Sequence, residues 1–354
     1  MRETYDSMFI EMDYGKIIKL DLKDKKIIAA LAQNSRISPT NLSKVVGLSK
    51  DGVLYRIKKL KREKVLRKNA LIINPYYFIV PYTILLRLEG VEETDEQKLL
   101  EYFYRHPLVA WFCQCSDAWD IIVNIFAKDV KHFSYLLREI KARCGNSLKD
   151  YEIIPITATL QYNSMPNSFA KEIGIKLEFD RSDVSFGKFI KKLKIGLSEN
   201  KIHIDSYDIK ILEILSEDSS KQISSIGKII KLSPNSVKYR IKKLIDKKVI
   251  LAFKSIFNVS YLRYHGFALF ISLNPNVSNE QRKNLENFFA YHDEVAFAFE
   301  TTGRCDFEVY MFAKDVVHFH KLLSEIRNKF SSIINNQFSL LILKDYKFNF
   351  FPNI

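Results

Sequence analysis

Cysteine is scarce in this chain: Cys113, Cys115, Cys144 and Cys305 are the only 4 among 354 residues, and no two stand as a Cys-x-x-Cys pair. That excludes a disulfide framework and a zinc knuckle, and it suits a reducing cytoplasm. A long apolar run is also missing. The most apolar stretch, Tyr76 to Leu88, is broken by Pro81 and Arg87 and falls short of the roughly 20 residues that cross a bilayer, so no membrane contact is expected. Residues 1 to 15 mix acids with isolated apolar side chains and lack the core of a signal peptide, which argues against export. Histidines give no ligand pattern. His318-x-His320 has the wrong spacing for two ligands on one helix face, while His132 with His318, and His106 with His292, recur as any duplicated fold would make them. Neither a metal nor a cofactor is expected.

What the chain does have is internal repetition. Tyr-Arg-Ile-Lys-Lys-Leu occurs at Tyr55 to Leu60 and again at Tyr239 to Leu244. Laying residues 20 to 66 over 204 to 250 without a gap gives 18 identities in 47 positions. A second repeat, Phe126 to Ile140 against Phe312 to Ile326, agrees at 11 of 15 positions with an offset two residues larger. Each half therefore holds the same two parts in the same order.

The net charge of +14 and a pI near 9.3 make a polyanion the default partner, provided the charge is concentrated. Residues 49 to 68 hold nine Lys/Arg against Asp51 and Glu63, and residues 233 to 254 hold seven against Asp246. Residues 69 to 165 sum to −3 and residues 255 to 354 to zero, so the excess sits on two copies of one segment. Contact with nucleic acid is the expected consequence.

Periodicity places three helices in the first copy. Asp24 to Ala32 carries Ile27, Ile28 and Leu31 on one face, and Ser38-Pro39 opens a short helix with Leu42, Val45 and Val46. Gly47 makes the turn. Ser49 then caps a basic helix whose Val53, Ile57 and Leu60 face inward. This is a helix-turn-helix, and Val65 to Ile73 after it reads as a two-stranded wing. The second copy repeats the course from Asp208 through Ser233, Pro234, Val237, Ile241 and Leu244 to a wing at Val249 to Phe257. Between and after these segments the order is βαββαβ, the ferredoxin-like arrangement. The fold class is α+β: a winged helix-turn-helix at 17–75, a ferredoxin-like domain at 76–165, a linker at 166–203 with a short basic helix near Phe186 to Leu193, then the same pair at 204–259 and 260–354.

Leu48-Ser-x-x-x-Val53-x-x-Arg56-Ile57-x-x-Leu60 with Val65-Leu66, and its copy from Leu232 to Ile250, resemble the leucine-responsive and asparagine-synthetase regulators, the Lrp/AsnC family. Thr302-Gly303-Arg304-Cys305-Asp306-Phe307 is similar to the family's turn between the second and third strands of its ligand-sensing domain. The family usually has Gly before the wing, where this chain has Lys64 and Lys248, so a different wing geometry is expected. The first sensing turn, Asp117-Ala-Trp-Asp120, departs from Gly303-Arg-Cys-Asp306. Most of the family has one such unit per chain, so a fused pair resembles a dimer made covalent.

The resemblance implies a cytoplasmic, sequence-specific transcriptional regulator. In a helix-turn-helix, residues at the start of the third helix meet base edges while flanking cations and the helix N-terminus hold phosphates. Ser49, Lys50, Asp51 and Tyr55 in the first copy, with Ser233, Asn235, Ser236 and Tyr239 in the second, are the candidates at the helix start. Arg56, Lys59, Arg240 and Lys243 are candidate phosphate anchors; the alternative for the arginines is local pairing with an acid. The family also implies a small effector, commonly an amino acid, at Asp120, Thr301, Thr302, Gly303 and Asp306. The alternative there is a turn that uses Gly303 for φ > 0 and Asp306 to cap amides. Self-association through the ferredoxin-like domains is a further expectation. The rival reading is an enzyme similar to siroheme decarboxylase, which would need a cationic cavity in a sensing domain. The charge distribution disfavours it, and the expectation is that the chain is no enzyme.

Overall fold

A computed structural model describes residues 18–174, 195–196 and 203–351. The expected helix near Phe186 to Leu193 and the N-terminal residues 1 to 15 lie outside the described residues.

The first unit opens with α1 (Leu22–Gln33), capped by Asp21 in a reciprocal box with Asp24. α2 (Pro39–Val46) starts at the Ser38 cap and stops at Gly47, whose φ of 69° is the left-handed conformation that glycine takes without strain. α3 (Lys50–Arg62) starts at the Ser49 cap and buries Val53 and Leu60. β1 (Leu66–Ile73) follows. Then come β2 (Val80–Leu88), α4 (Glu93–Arg105), β3 (Val109–Ser116), β4 (Ile121–Ala127), α5 (Val130–Cys144) and the long β5 (Leu148–Tyr162). α6 (Asn167–Glu172) and the two-residue β6 (Ile195–Gly196) lie in the expected linker. The second half repeats the plan as α7 (Ser206–Glu217), α8 (Ile223–Ile230), α9 (Pro234–Asp246), β7 (Ile250–Phe257), β8 (His265–Leu273), α10 (Asn279–Tyr291), β9 (Val295–Thr301), β10 (Phe307–Ala313), α11 (Val316–Phe330) and β11 (Ile334–Phe348).

The expected two-stranded wing within each unit is not what forms. Each unit supplies one strand, because Asn74 and Asn258 turn the chain into a short 3-10 helix instead of a return strand. β1 pairs antiparallel with β7 of the other unit. Ala70 lies opposite Lys254, its own counterpart at the repeat offset, so a pseudo-twofold axis passes through that pair. The ends close reciprocally: Asn74 N–H donates to the Val249 carbonyl (2.9 Å) and Asn258 N–H to the Val65 carbonyl (2.8 Å). Lys64 and Lys248 both sit at φ 58°. Each lysine thus holds the left-handed conformation that glycine takes without strain.

The two ferredoxin-like sheets form as expected, in the orders β3-β4-β2-β5 and β9-β10-β8-β11. They are also stitched to each other, β11 to β3 and β5 to β9, so the eight strands run round a closed ring. Closure leaves no free edge in the ring. α4 and α5 cover the outside of one sheet, where the Tyr82 ring stacks on Phe133 at 3.8 Å; α10 and α11 cover the other, where Phe267 stacks on Phe319 at 3.8 Å. Between the sheets lies a third core that includes Trp111, Ile122, Phe270, Phe299, Tyr310 and Leu340. The start of the expected linker is packed as well: Phe169 of α6 is buried, and the Asn163 and Asn167 amides donate to the carbonyls of Ala296 and Asp293.

Candidate nucleic-acid interface and the sensing turns

α3 and α9 are matched basic helices, each held against the first helix of its unit by one arginine. Arg56 Nη1 reaches Asp21 at 2.8 Å and Asp24 at 2.7 Å; Arg240 Nη1 reaches Asp205 and Asp208, each at 2.7 Å. The four acids are the capping boxes of α1 and α7, and Asp24 and Asp208 are buried. Charge-assisted bonds of this kind are the strong ones. Burial pushes the Asp21 carboxyl up, but the Asp24 amide and Arg56 outweigh it and hold it below the usual range; Asp205 behaves alike beside Arg240. The hydrogen bonds that Arg56 donates to Asp24 and Asp21 in turn raise its own pKa. Of the two readings for the arginines, the geometry is that of the local pair: both guanidinium groups fix the angle of the basic helix. Sequence reasoning missed the acids, although Asp-x-x-Asp recurs at the same offset as the arginines.

The remaining candidates fall on one exposed face of each helix. Ser49 accepts from the Gly52 amide and Ser233 from the Ser236 amide, each at 3.1 Å, so both serines cap. Lys50, Asp51, Asn235 and Ser236 are exposed, as are Tyr55 (65 %) and Tyr239 (68 %), while Lys59 and Lys243 are half-buried. Among the described residues no ion pair holds Lys50, Lys58, Lys238 or Lys242. These free cations stand beside two unburied tyrosines at equivalent places.

The sensing turns are built as tight turns. Gly303 has φ 99°, and Asp117 at the matching place in the first half has φ 101°, so the first turn forces the same backbone on a residue with a Cβ. Asp120 Oδ2 accepts from the Leu88 amide at 2.6 Å, and Asp306 Oδ2 from the Leu273 amide at 2.8 Å. Asp306 Oδ1 also takes Arg282 Nη1 at 2.9 Å. Buried Thr301 donates to the Cys305 carbonyl, and the Thr302 amide reaches Pro155 of the other half. Arg304 crosses the same seam to Glu152 at 3.0 Å. Of the five positions, Asp120, Thr302 and Gly303 are exposed.

Inside the ring the structure holds a polar cluster that no sequence signal marked. Thr83 Oγ1 donates to Glu308 Oε2 (2.7 Å), Asn124 Nδ2 to Thr83 Oγ1 (2.6 Å), and the Tyr310 hydroxyl to Glu308 Oε1. Two residues come from each sheet. Glu308 is fully buried, and burial pushes its carboxyl up to about 7 although the three partners pull it back. An aromatic chamber of about 80 Å³ beside it is lined by Trp111, Phe297, Phe299, Tyr310 and Phe348, space for roughly two or three waters. Among the described residues no group of histidines, cysteines and acids is placed to hold a metal, and no helix is long and apolar enough to cross a membrane.

Comparison with known proteins bears on both halves. The AsnC-type helix-turn-helix domain matches residues 20–61 and 204–245. The HTH-type transcriptional regulator Ptr1 of Methanocaldococcus jannaschii is 28 % identical over 123 residues, which is 34 % of this chain and 80 % of that protein. The HTH-type transcriptional regulator FL11 of Pyrococcus abyssi is 28 % identical over 154 residues, 42 % of this chain and 94 % of its own. Each such regulator is thus the length of one half. At full length, the solved siroheme decarboxylase NirDL, in complex with an iron-uroporphyrin III analogue, superposes with a TM-score of 0.57 at 12 % identity, covering 93 % of this chain and 94 % of that one. That likeness is one of fold. It nevertheless overturns the expectation that the chain is no enzyme, because the fused two-unit architecture is also that of a decarboxylase.

Proposed function

We propose that this chain, whose two helix-turn-helix domains are of the AsnC type, is a DNA-binding transcriptional regulator that presents α3 and α9 together to double-stranded DNA. The observation that carries the reading is the twofold placement of two matched basic faces with unpaired lysines, on units locked by one shared β1–β7 ribbon. Lys50, Lys58, Lys238 and Lys242, with Lys59 and Lys243, meet phosphates; Asp51, Asn235, Ser236 and the two tyrosines meet base edges. Because Lys50-Asp51-Gly52 stands where Pro234-Asn235-Ser236 stands in the second unit, the two half-sites differ. A small effector meets the second turn at exposed Thr302 and Gly303, with Asp120, Thr301 and Asp306 holding the turns.

Selecting bound fragments from genomic DNA supplies the operator, and affinity for it is then measured against salt. With about six phosphate contacts the log–log slope is about −5, and Lys238→Gln or Lys242→Gln each lowers it by roughly one. Asn235→Ala instead changes preference at one half-site. A flat salt response sinks the proposal.

A second reading, an enzyme acting on a tetrapyrrole, is favoured by the full-length likeness to siroheme decarboxylase. Titrating the chain with iron-uroporphyrin III while recording absorbance separates it: a saturable spectral shift without retention of DNA supports the enzyme, and the converse supports the regulator.

A further inference from the structure

Where the second helix-turn-helix unit rests on the ring, a cleft of about 590 Å³ opens between β1, α4, α7 and the end of β11. Its volume falls in the range of small-molecule sites, about 300–1,000 Å³. The inner wall is cationic: Arg67 and Lys68 come from β1 and Lys347 from β11, with Glu213 and Glu217 of α7 exposed at the rim. Arg67 is ion-paired with Asp345, but its buried Nε has no partner among the described residues. The two lysines have no carboxylate within ion-pair distance there. Lys68 Nζ donates to the Phe348 carbonyl at 3.0 Å and Lys347 Nζ to the His106 carbonyl at 2.6 Å. Burial lowers both ammonium groups, Lys347 to about 8; Lys68 lowers Lys347 further, while Glu217 and Asp218 pull Lys68 part of the way back up. Two half-buried cations lining one cavity are unfavourable by themselves, and an anion bound there offsets both the burial and the repulsion.

The fold does not demand these charges. At the pseudo-twofold equivalents the chain has Leu251 and Ala252 for Arg67 and Lys68, Gln161 for Lys347, and Ala29 and Gln33 for Glu213 and Glu217. The same ribbon and strand are built there without them. Residues kept charged on one side only, at the border of a DNA-reading unit and the ring, require a reason beyond packing.

We propose that this cleft is a binding site for a small anion, a carboxylate- or phosphate-bearing metabolite whose anionic group lies between Lys68 and Lys347. The site is independent of the DNA reading, and its test contains no DNA.

The full chain is titrated by calorimetry with citrate in one arm and inorganic phosphate in the other. Saturable one-to-one binding is expected in at least one arm, and the tighter arm tells carboxylate from phosphate. Lys68→Ala and Lys347→Gln install the residues that the other half already tolerates, and each weakens binding about ten-fold or more. Lys321→Gln, an exposed lysine on α11, leaves it unchanged. A cooperative melt of each variant without the anion checks that it remains folded, and the rise in Tm that the anion gives the natural chain is lost in both. No saturation in either arm overturns the proposal, and so does an affinity in Lys68→Ala and Lys347→Gln unchanged from that of the natural chain.

Discussion

The two halves agree where geometry is local and diverge where they face one another. Both have an Asp-x-x-Asp cap bound to an arginine, a left-handed residue before the shared ribbon, and an aromatic pair under the second helix of the ferredoxin-like domain. In the middle of the ring the match ends. Ile122 and Asn124 on β4 stand where Glu308 and Tyr310 stand on β10, and Thr83 lies beside Asn124 where Ala268 lies beside Tyr310. A symmetric dimer has to repeat every residue across its axis; a fused chain is free to place a carboxyl on one side and its hydrogen-bond donors on the other.

The largest test of that difference is pH. Glu308 is held near 7 in the folded chain against about 4.5 when unfolded, so folding favours its protonated form. Its stabilising contribution is complete below about 4.5 and is lost as pH rises through 7, a change of about 3 kcal/mol at most. Urea unfolding at pH 5 and pH 8 reads it out, and Glu308→Gln abolishes that part of the slope. An unchanged slope in Glu308→Gln means that the cluster does not hold a proton.

A middle-sized effect probes the place where the halves agree. Arg56→Ala and Arg240→Ala each leave a buried carboxylate without its partner, Asp24 or Asp208, and each costs about 2 kcal/mol in denaturant unfolding. Arg240 also lies over the Tyr207 ring at 5.2 Å, so its loss costs the more by about 0.5 kcal/mol. Full stability in either variant, with DNA affinity alone reduced, restores that arginine to the phosphate backbone.

The smallest effect concerns the sensing turns. Asp117→Gly relieves a φ of 101° and raises stability by about 1 kcal/mol, whereas Gly303→Ala imposes the same strain on the second half and lowers it by about as much. Thermal melts of the two variants should move in opposite directions, and equal shifts of one sign remove the argument.

Much of this was legible in the sequence, and the reason is range. Helix starts at Ser38, Ser49 and Ser233, the stop at Gly47 and the inward stripe of Val53 and Leu60 depend on neighbours three or four residues away, which a linear pattern records. The closed ring does not. Pairing of β11 with β3 joins residues more than two hundred positions apart, and nothing in either strand's alternation says which edge it will meet. The wing was misjudged for the same cause, since one strand and its missing partner look alike until the second half is in place. The cationic cleft escaped a count of charge by segment because Lys68 belongs to one segment and Lys347 to another. The arginine locks lay within reach: an acid pair recurring at the arginines' own spacing was present and went unused.

The ribbon through Ala70 and Lys254 has one more consequence. In a two-chain assembly such a joint is made and broken by mass action, so dilution empties it and related chains can trade places across it. Here one polypeptide owns both strands. Occupancy of the joint stays constant however little protein a cell contains, no foreign half can be substituted, and each half is free to accumulate its own changes without a mirror image having to tolerate them.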